Sequence, residues 1–150
     1  MPNITRRFIG HLQKNKVNKC LELFDTIDSV DSFKLAKKIN NRSTFLNKKT
    51  PILLEINTSG DDSKKGFSPN LDDDFYSIFG FDSLKVDGLM TMGPLSQKED
   101  ETRSAFALLR KIKTKINDQL PDEPIKELSM GMSGDFQIGI EEGSTMIRLG

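Results

Sequence analysis

The chain has little with which to build a metal centre or a covalent cross-link. Its 150 residues include one cysteine, Cys20, and one histidine, His11. A lone cysteine excludes an internal disulfide and fits a reducing compartment. One residue of each kind also excludes a zinc finger or a histidine-rich metal site. Excess charge is missing too, because 22 Lys and Arg balance 22 Asp and Glu. A neutral chain lacks the basic surplus that nucleic acid or an anionic membrane selects. No apolar run approaches the roughly 20 residues that span a bilayer, and the first seven residues do not read as a secretory leader. Hydrophobic residues make up 35 % and charged residues 29 %. The apolar residues are clustered, so the composition reads as a lean folded domain and not as a disordered chain. The expectation is a single domain over residues 1–150, cytoplasmic, with no nucleic-acid or membrane partner.

What is present is an alternation of short apolar runs and helical patterns. Strand candidates fall at 7–11, 24–28, 51–57, 84–92, 127–132 and 145–150. Between them, Val17, Cys20, Leu21 and Phe24 mark one amphipathic stretch, and Phe33, Ala36 and Ile39 mark a second at spacing 3. The second weakens toward Asn40-Asn41-Arg42-Ser43. A polar loop over 58–70 precedes a short helix near 71–79. Ser96 and Glu99 have the spacing of a capping box. Behind it Ala105, Leu109, Ile112 and Ile116 share one face until Leu120-Pro121 ends the helix. A last short helix, about 135–142, stops at Gly143. Strand and helix thus alternate five times before a final strand, which predicts parallel strands joined by helical crossovers. His11-Leu12-Gln13-Lys14 is not a dinucleotide loop, and Ser63-Lys64-Lys65-Gly66 is not a P-loop. The pattern therefore favours a (β/α) barrel over a doubly wound sheet.

A parallel barrel places its site at the C-terminal strand ends. Those ends bring forward His11, Asp28, Asn57, Thr91, Met92, Ser133 and Gly150. Ser129, Gly131 and Ser133 share a strand face, which leaves room for a ligand or simply relieves crowding. Arg148 shares a face with Met146 and Gly150. It points either outward to a helix carboxylate or inward, where it needs a carboxylate, a phosphate or a heteroaromatic nitrogen. Ser133-Gly134-Asp135 opens a short helix, an arrangement that suits a phosphate, a plain N-cap, or both. His11 reads as structural or catalytic, and Asn57 as a ligand contact or a strand tether. The aspartates at 61–62 and 72–74 read as solvated loop and cap charges. The methionines of the later strands read as soft core filler. No Ser-His-Asp or paired-carboxylate arrangement is present.

Five ordered segments resemble one family. They are the F-I-G-H-L-Q-K-N-K run beginning at Phe8, Ile56-Asn57-Thr58-Ser59 with Ser63-Lys64-Lys65-Gly66, and Gly88-Leu89-Met90-Thr91-Met92. The others are the L-S-M-G-M-S-G-D-F run beginning at Leu128 and the G-S-T-M-I-R-L-G run beginning at Gly143. Together they resemble the pyridoxal phosphate homeostasis proteins, the YggS-like family. The resemblance implies an α/β fold, a TIM barrel of the alanine racemase N-terminal type. It implies binding of pyridoxal 5′-phosphate without enzymatic turnover, in cofactor homeostasis, and by a monomer. Carried over by motif, Arg148 would face the pyridine nitrogen. Ser133, Ser129 and Gly150 would hold the phosphate, and His11 and Asn57 would line the pocket.

The departures from the family are specific. The family's lysine, which forms the Schiff base, lies in a V-S-K strand ahead of the F-I-G segment, and a second strand leads to G-E-N-Y. Neither context occurs in this sequence. The expectation is an incomplete barrel of about six of eight strands, with weak, non-covalent cofactor binding. No lysine is expected at a strand end facing the site: Lys64 and Lys65 fall in a loop and Lys85 begins a strand. Six strands would leave two long open edges, so self-association through them is expected. A racemase-like enzyme needs the lysine and an opposing tyrosine, and the only tyrosine, Tyr76, falls in a helix. A structural fragment without a ligand is the third reading.

Overall fold

The computed structural model describes residues 3–62 and 65–150. Among these residues six strands alternate with five α-helices: β1 Arg7–Phe8, α1 Val17–Leu23, β2 Thr26–Val30, α2 Phe33–Phe45, β3 Thr50–Glu55, α3 Asp73–Ser77, β4 Leu84–Met90, α4 Glu99–Gln119, β5 Glu127–Met132, α5 Phe136–Glu141 and β6 Met146–Arg148. Every adjacent pair is parallel. The strands lie in the sheet in chain order, one through six. A doubly wound sheet reverses its strand order at a switch point. An order that never reverses, with crossovers of one hand, keeps the helices on one side and curls the sheet. The fold is an open barrel wall of the expected α/β type.

Alternation sorts the strand residues. Ile27, Ile52, Leu54, Leu89, Leu128 and Met130 join the core under the helices. There they meet Leu35 and Ile39 of α2 and Phe106, Leu109 and Ile116 of α4. Leu53 and Met90 are fully buried but stand outside that core. They belong to the concave face, together with Glu55, Ser129 and Arg148. Glu55 pairs in register with Met90, and Met90 with Ser129, so these three form one level of the concave wall. Gly88 lets β4 and β5 approach: a Cβ there would lie 2.0 Å from the Glu127 carbonyl oxygen.

Several boundaries differ from the sequence expectation, each for a local reason. β2 starts at Thr26, two residues later than the apolar run suggests, which puts Asp28 at mid-strand. The α2 helix does not weaken at Asn40 but runs to Phe45. Its polar residues find partners off the helix: Ser43 and Thr50 hydroxyls bond at 2.6 Å, and Asn40 Oδ1 accepts the Ser83 N–H at 2.9 Å. Phe33 is half-buried, with its ring 5.7 Å from that of Phe81. The capping box does not form. Lys98 occupies the N-cap position of α4 and makes no side-chain cap. Gln97, at φ 56°, turns the chain between Ser96 and the helix, and the Ser96 hydroxyl bonds the Glu101 carboxylate instead. Three acids in the first turn of α4 still complement the helix dipole. Asp72 caps α3 by accepting the Phe75 N–H at 2.8 Å, as a cap charge should. The open edges are short and not long: β1 has two residues and β6 three. Among the described residues no helix is long and apolar enough to cross a membrane.

Candidate functional site

The site grows from β6. Arg148 points inward, which settles the alternative left open by the sequence. It is 9 % exposed. Its Nη1 donates to Ser129 Oγ at 2.7 Å, and its Nη2 to the Thr91 carbonyl at 2.9 Å and Met92 Sδ at 3.3 Å. These acceptors come from the middle of β5 and from just past the end of β4, so the guanidinium on β6 is held from β5 and from the chain after β4. Burial holds the Arg148 pKa below its usual value, and the charges of Asp135, Glu55 and Asp28 offset only part of that. Arginine has five N–H donors and titrates far above neutrality, so it stays a cation here. The three acceptors leave donors for a guest.

Arg148 lines an open cavity of about 1120 Å³ on the concave side, at the C-terminal strand ends. Ser133, Asp135, Gly150, Glu55 and His11 line it as well. Ser133 Oγ lies 3.4 Å from the Gly150 N–H and 3.5 Å from its carbonyl, so the β5 and β6 exits are joined there. Asp135 Oδ1 accepts the Met132 N–H at 2.7 Å, and the Asp135 N–H returns to the Met132 carbonyl at 3.0 Å. That closed turn presents Ser133 and Gly134. Gly131, at φ 108°, supplies the left-handed backbone that leads into it.

The other expected residues divide. Ser129 is buried and touches Arg148, not the cavity, so it works through the guanidinium. His11 lines the cavity edge and its Nδ1 lies 3.4 Å from Asp31 Oδ2. Asn57 is not brought to the cavity lining. Its Nδ2 donates to the Asp61 carbonyl at 2.9 Å and its Oδ1 accepts the Gly60 N–H at 3.3 Å, which ties down the loop after β3. Thr91 is buried, bonded to the Ile56 carbonyl at 2.7 Å and to the Thr58 hydroxyl at 2.8 Å. Asp28 leaves the strand-end group altogether: mid-strand, it pairs with Arg7 Nε at 2.7 Å.

Lys65, Glu55 and Asp135 are among the cavity residues that the sequence reading did not single out for the site. Lys65 lies in the loop after β3, as expected, yet that loop brings it to the cavity lining. Ser63 and Lys64 of the same motif lie outside the described residues. Glu55 was legible in principle, as a charge at the parity of Leu53 in an apolar strand. Asp135 had the i to i+3 spacing of a backbone-capping aspartate after Met132.

The open barrel wall thus carries a buried arginine with neutral hydrogen-bond acceptors beside a serine-glycine strand exit. Comparison with known proteins gives this fold its family. The family model described as "Alanine racemase, N-terminal domain" matches residues 4–150. The pyridoxal phosphate homeostasis protein of Synechocystis is 40 % identical over 149 residues, 99 % of this chain and 68 % of that protein. The one from Aquifex aeolicus is 36 % identical, with 63 % of its length covered. The chain thus spans about two thirds of these relatives. PipY of Synechococcus elongatus superposes with a TM-score of 0.93 without PLP, at 34 % identity, over all of this chain and 70 % of PipY. With PLP bound, the TM-score is 0.90 at 32 % identity. An alanine racemase from Clostridium difficile, 16 % identical with a TM-score of 0.74 over 99 % of this chain and 38 % of its own, shares the fold. This chain belongs to the alanine racemase N-terminal domain family and, within it, to the pyridoxal phosphate homeostasis proteins.

Proposed function

We propose that this chain binds pyridoxal 5′-phosphate in the concave cavity and serves cytoplasmic cofactor homeostasis without turning over a substrate. The observation that carries the reading is Arg148, a buried cation held by neutral acceptors at the cavity wall. Such a group suits a neutral heteroaromatic nitrogen, to which it can only donate. The Ser133 hydroxyl and the Gly150 backbone, joined at one end of the cavity, suit the phosphate. Ser129 orients Arg148, His11 borders the cavity, and Asn57 acts through the loop after β3. When bound, the cofactor supplies an aldehyde reactive toward amines and an electron-withdrawing ring.

Arginine at the ring nitrogen would restrain the chemistry open to the bound cofactor. Its acidity is far too low to protonate a pyridine, so the ring stays neutral and is a weaker electron sink. No tyrosine faces the cavity among the described residues. The Tyr76 ring stacks against Phe75 at 5.6 Å and Phe79 at 6.4 Å in and beside α3. The PLP-bound PipY structure supports the ligand assignment.

The test is a titration with pyridoxal phosphate followed by absorbance and intrinsic cofactor fluorescence. Saturable one-to-one binding is expected, weakened at least about tenfold by Arg148→Gln, the loss of one charge-assisted hydrogen bond. Absence of saturable binding overturns the reading.

A further inference from the structure

We infer that Asp135 is the residue that positions the phosphate end of the cavity, and that it does so as a hydrogen-bond acceptor and not as a charge. The inference rests on the proposed pyridoxal phosphate site. Asp135 Oδ1 takes the Met132 N–H at 2.7 Å, closing the turn that carries Ser133. Its backbone N–H closes the same turn from the other side, to the Met132 carbonyl at 3.0 Å. With the Met132 amide occupied, the donors left to face an anion on this turn are those of Ser133 and Gly134. The Ser133 hydroxyl is set 3.4 Å from the Gly150 N–H.

The second carboxylate oxygen lies close against Gly93, in the chain that follows β4. A Cβ on Gly93 would fall 2.6 Å from Asp135 Oδ2, nearer than real Cβ atoms come, while its other neighbours would lie at an ordinary 3.7 Å. The absent side chain of Gly93 therefore leaves room for the Asp135 carboxylate. The chain after β4 and the turn after β5 come close at this carboxylate, which lines the same cavity as Arg148 and acts on its charge. A carboxylate is a poor neighbour for a phosphate on charge alone. Its place in the cavity lining is explained by the turn it holds.

The two roles separate experimentally. Asp135→Asn keeps an oxygen acceptor and drops the charge, whereas Asp135→Ala drops both. The readout is the affinity ratio of pyridoxal phosphate to pyridoxal, measured by fluorescence titration on the full chain. General loosening of the fold would weaken both ligands alike and leave the ratio unchanged. The alanine variant is expected to lower the ratio about tenfold. The asparagine variant is expected to bind pyridoxal phosphate at least as tightly as the parent. Gly93→Ala, which displaces the carboxylate, is expected to reproduce the alanine loss, and to add nothing when combined with Asp135→Ala. An unchanged ratio in Asp135→Ala, a loss in Asp135→Asn equal to that of alanine, or full additivity with Gly93→Ala overturns the inference. If Asp135→Ala does not fold, the asparagine and Gly93 variants decide it. If the unaltered chain binds no pyridoxal phosphate, the parent reading fails instead, and the two failures are distinguishable.

Discussion

Arg148 Nη1 donates to Ser129 Oγ across 2.7 Å, and both side chains are buried. The serine is the shortest tether of the one arginine on which the cofactor reading stands. Removing its hydroxyl leaves a buried, charged N–H without that acceptor, at a cost of about 1–3 kcal/mol. Ser129→Ala is therefore expected to weaken pyridoxal phosphate about tenfold while leaving the fold intact, as read by titration and far-UV circular dichroism. An affinity equal to the parent's would show that β6 packing alone aims the guanidinium.

Asp28 is 2 % exposed and pairs with Arg7 Nε at 2.7 Å and Nη2 at 3.2 Å, with Thr26 Oγ1 adding a third bond at 3.1 Å. The pair ties two-residue β1 to β2. Taking away one partner strands a buried charge, which costs about 3–5 kcal/mol in a fully buried pair. Arg7 is partly open to water, so Arg7→Ala is expected to cost roughly 3 kcal/mol, the lower end of that span. Urea unfolding measures it. A midpoint shift worth less than about 1 kcal/mol would place this pair with ordinary surface bridges.

Glu142 receives Arg110 at 2.9 Å and Arg103 at 2.9 Å, which fasten α5 to α4. Hydrogen bonds from Arg110 and then Arg103 hold its carboxyl below the usual value. A lowered folded-state pKa stabilises the protein above the unfolded-state pKa. That contribution disappears as pH falls through the folded value. The parent chain should therefore lose thermal stability on acidification below about pH 4.5, the ordinary glutamate range. Glu142→Gln should flatten that part of the melting-temperature profile. Parallel profiles for the two proteins would contradict the assignment.

How much of this was legible in the sequence depends on what each feature needs. The parallel order needed only periodicity: Ile52 and Leu54 on one strand, and Ala105, Leu109, Ile112 and Ile116 on one helix, already separate core from surface. The Arg148 face was legible as parity with Met146, but its direction was not. An edge strand of three residues has apolar side chains on its other face as well. Asp28 was misplaced because a two-residue shift of β2 is invisible in an apolar run, yet it moves a carboxylate from a strand end to its middle. The missing cap at Ser96 turned on one backbone angle, that of Gln97. Asn57 and Asp135 both follow strands and both have a side-chain oxygen that can accept a backbone N–H. Only the hydrogen bonds show that the first holds its own loop while the second shapes the cavity.

Self-association at the two edges remains an expectation, but the structure changes its cause. Long bare strands would pair through their backbones, whereas β1 and β6 offer only two and three residues. Short edges are poor templates for pairing. What remains beside them is apolar: Ile9 is 48 % exposed, Ile147 36 % and Leu149 62 %. Association is then expected to be hydrophobic and reversible, with a mass that rises with concentration in light scattering. It should strengthen in sulfate, which favours burial of apolar surface. Ile147→Lys, on the convex side of β6, is expected to shift the mass toward the monomer without changing cofactor affinity. A mass that stays at 16.9 kDa across the concentration range would show that three isolated side chains are too small a patch to hold two copies together.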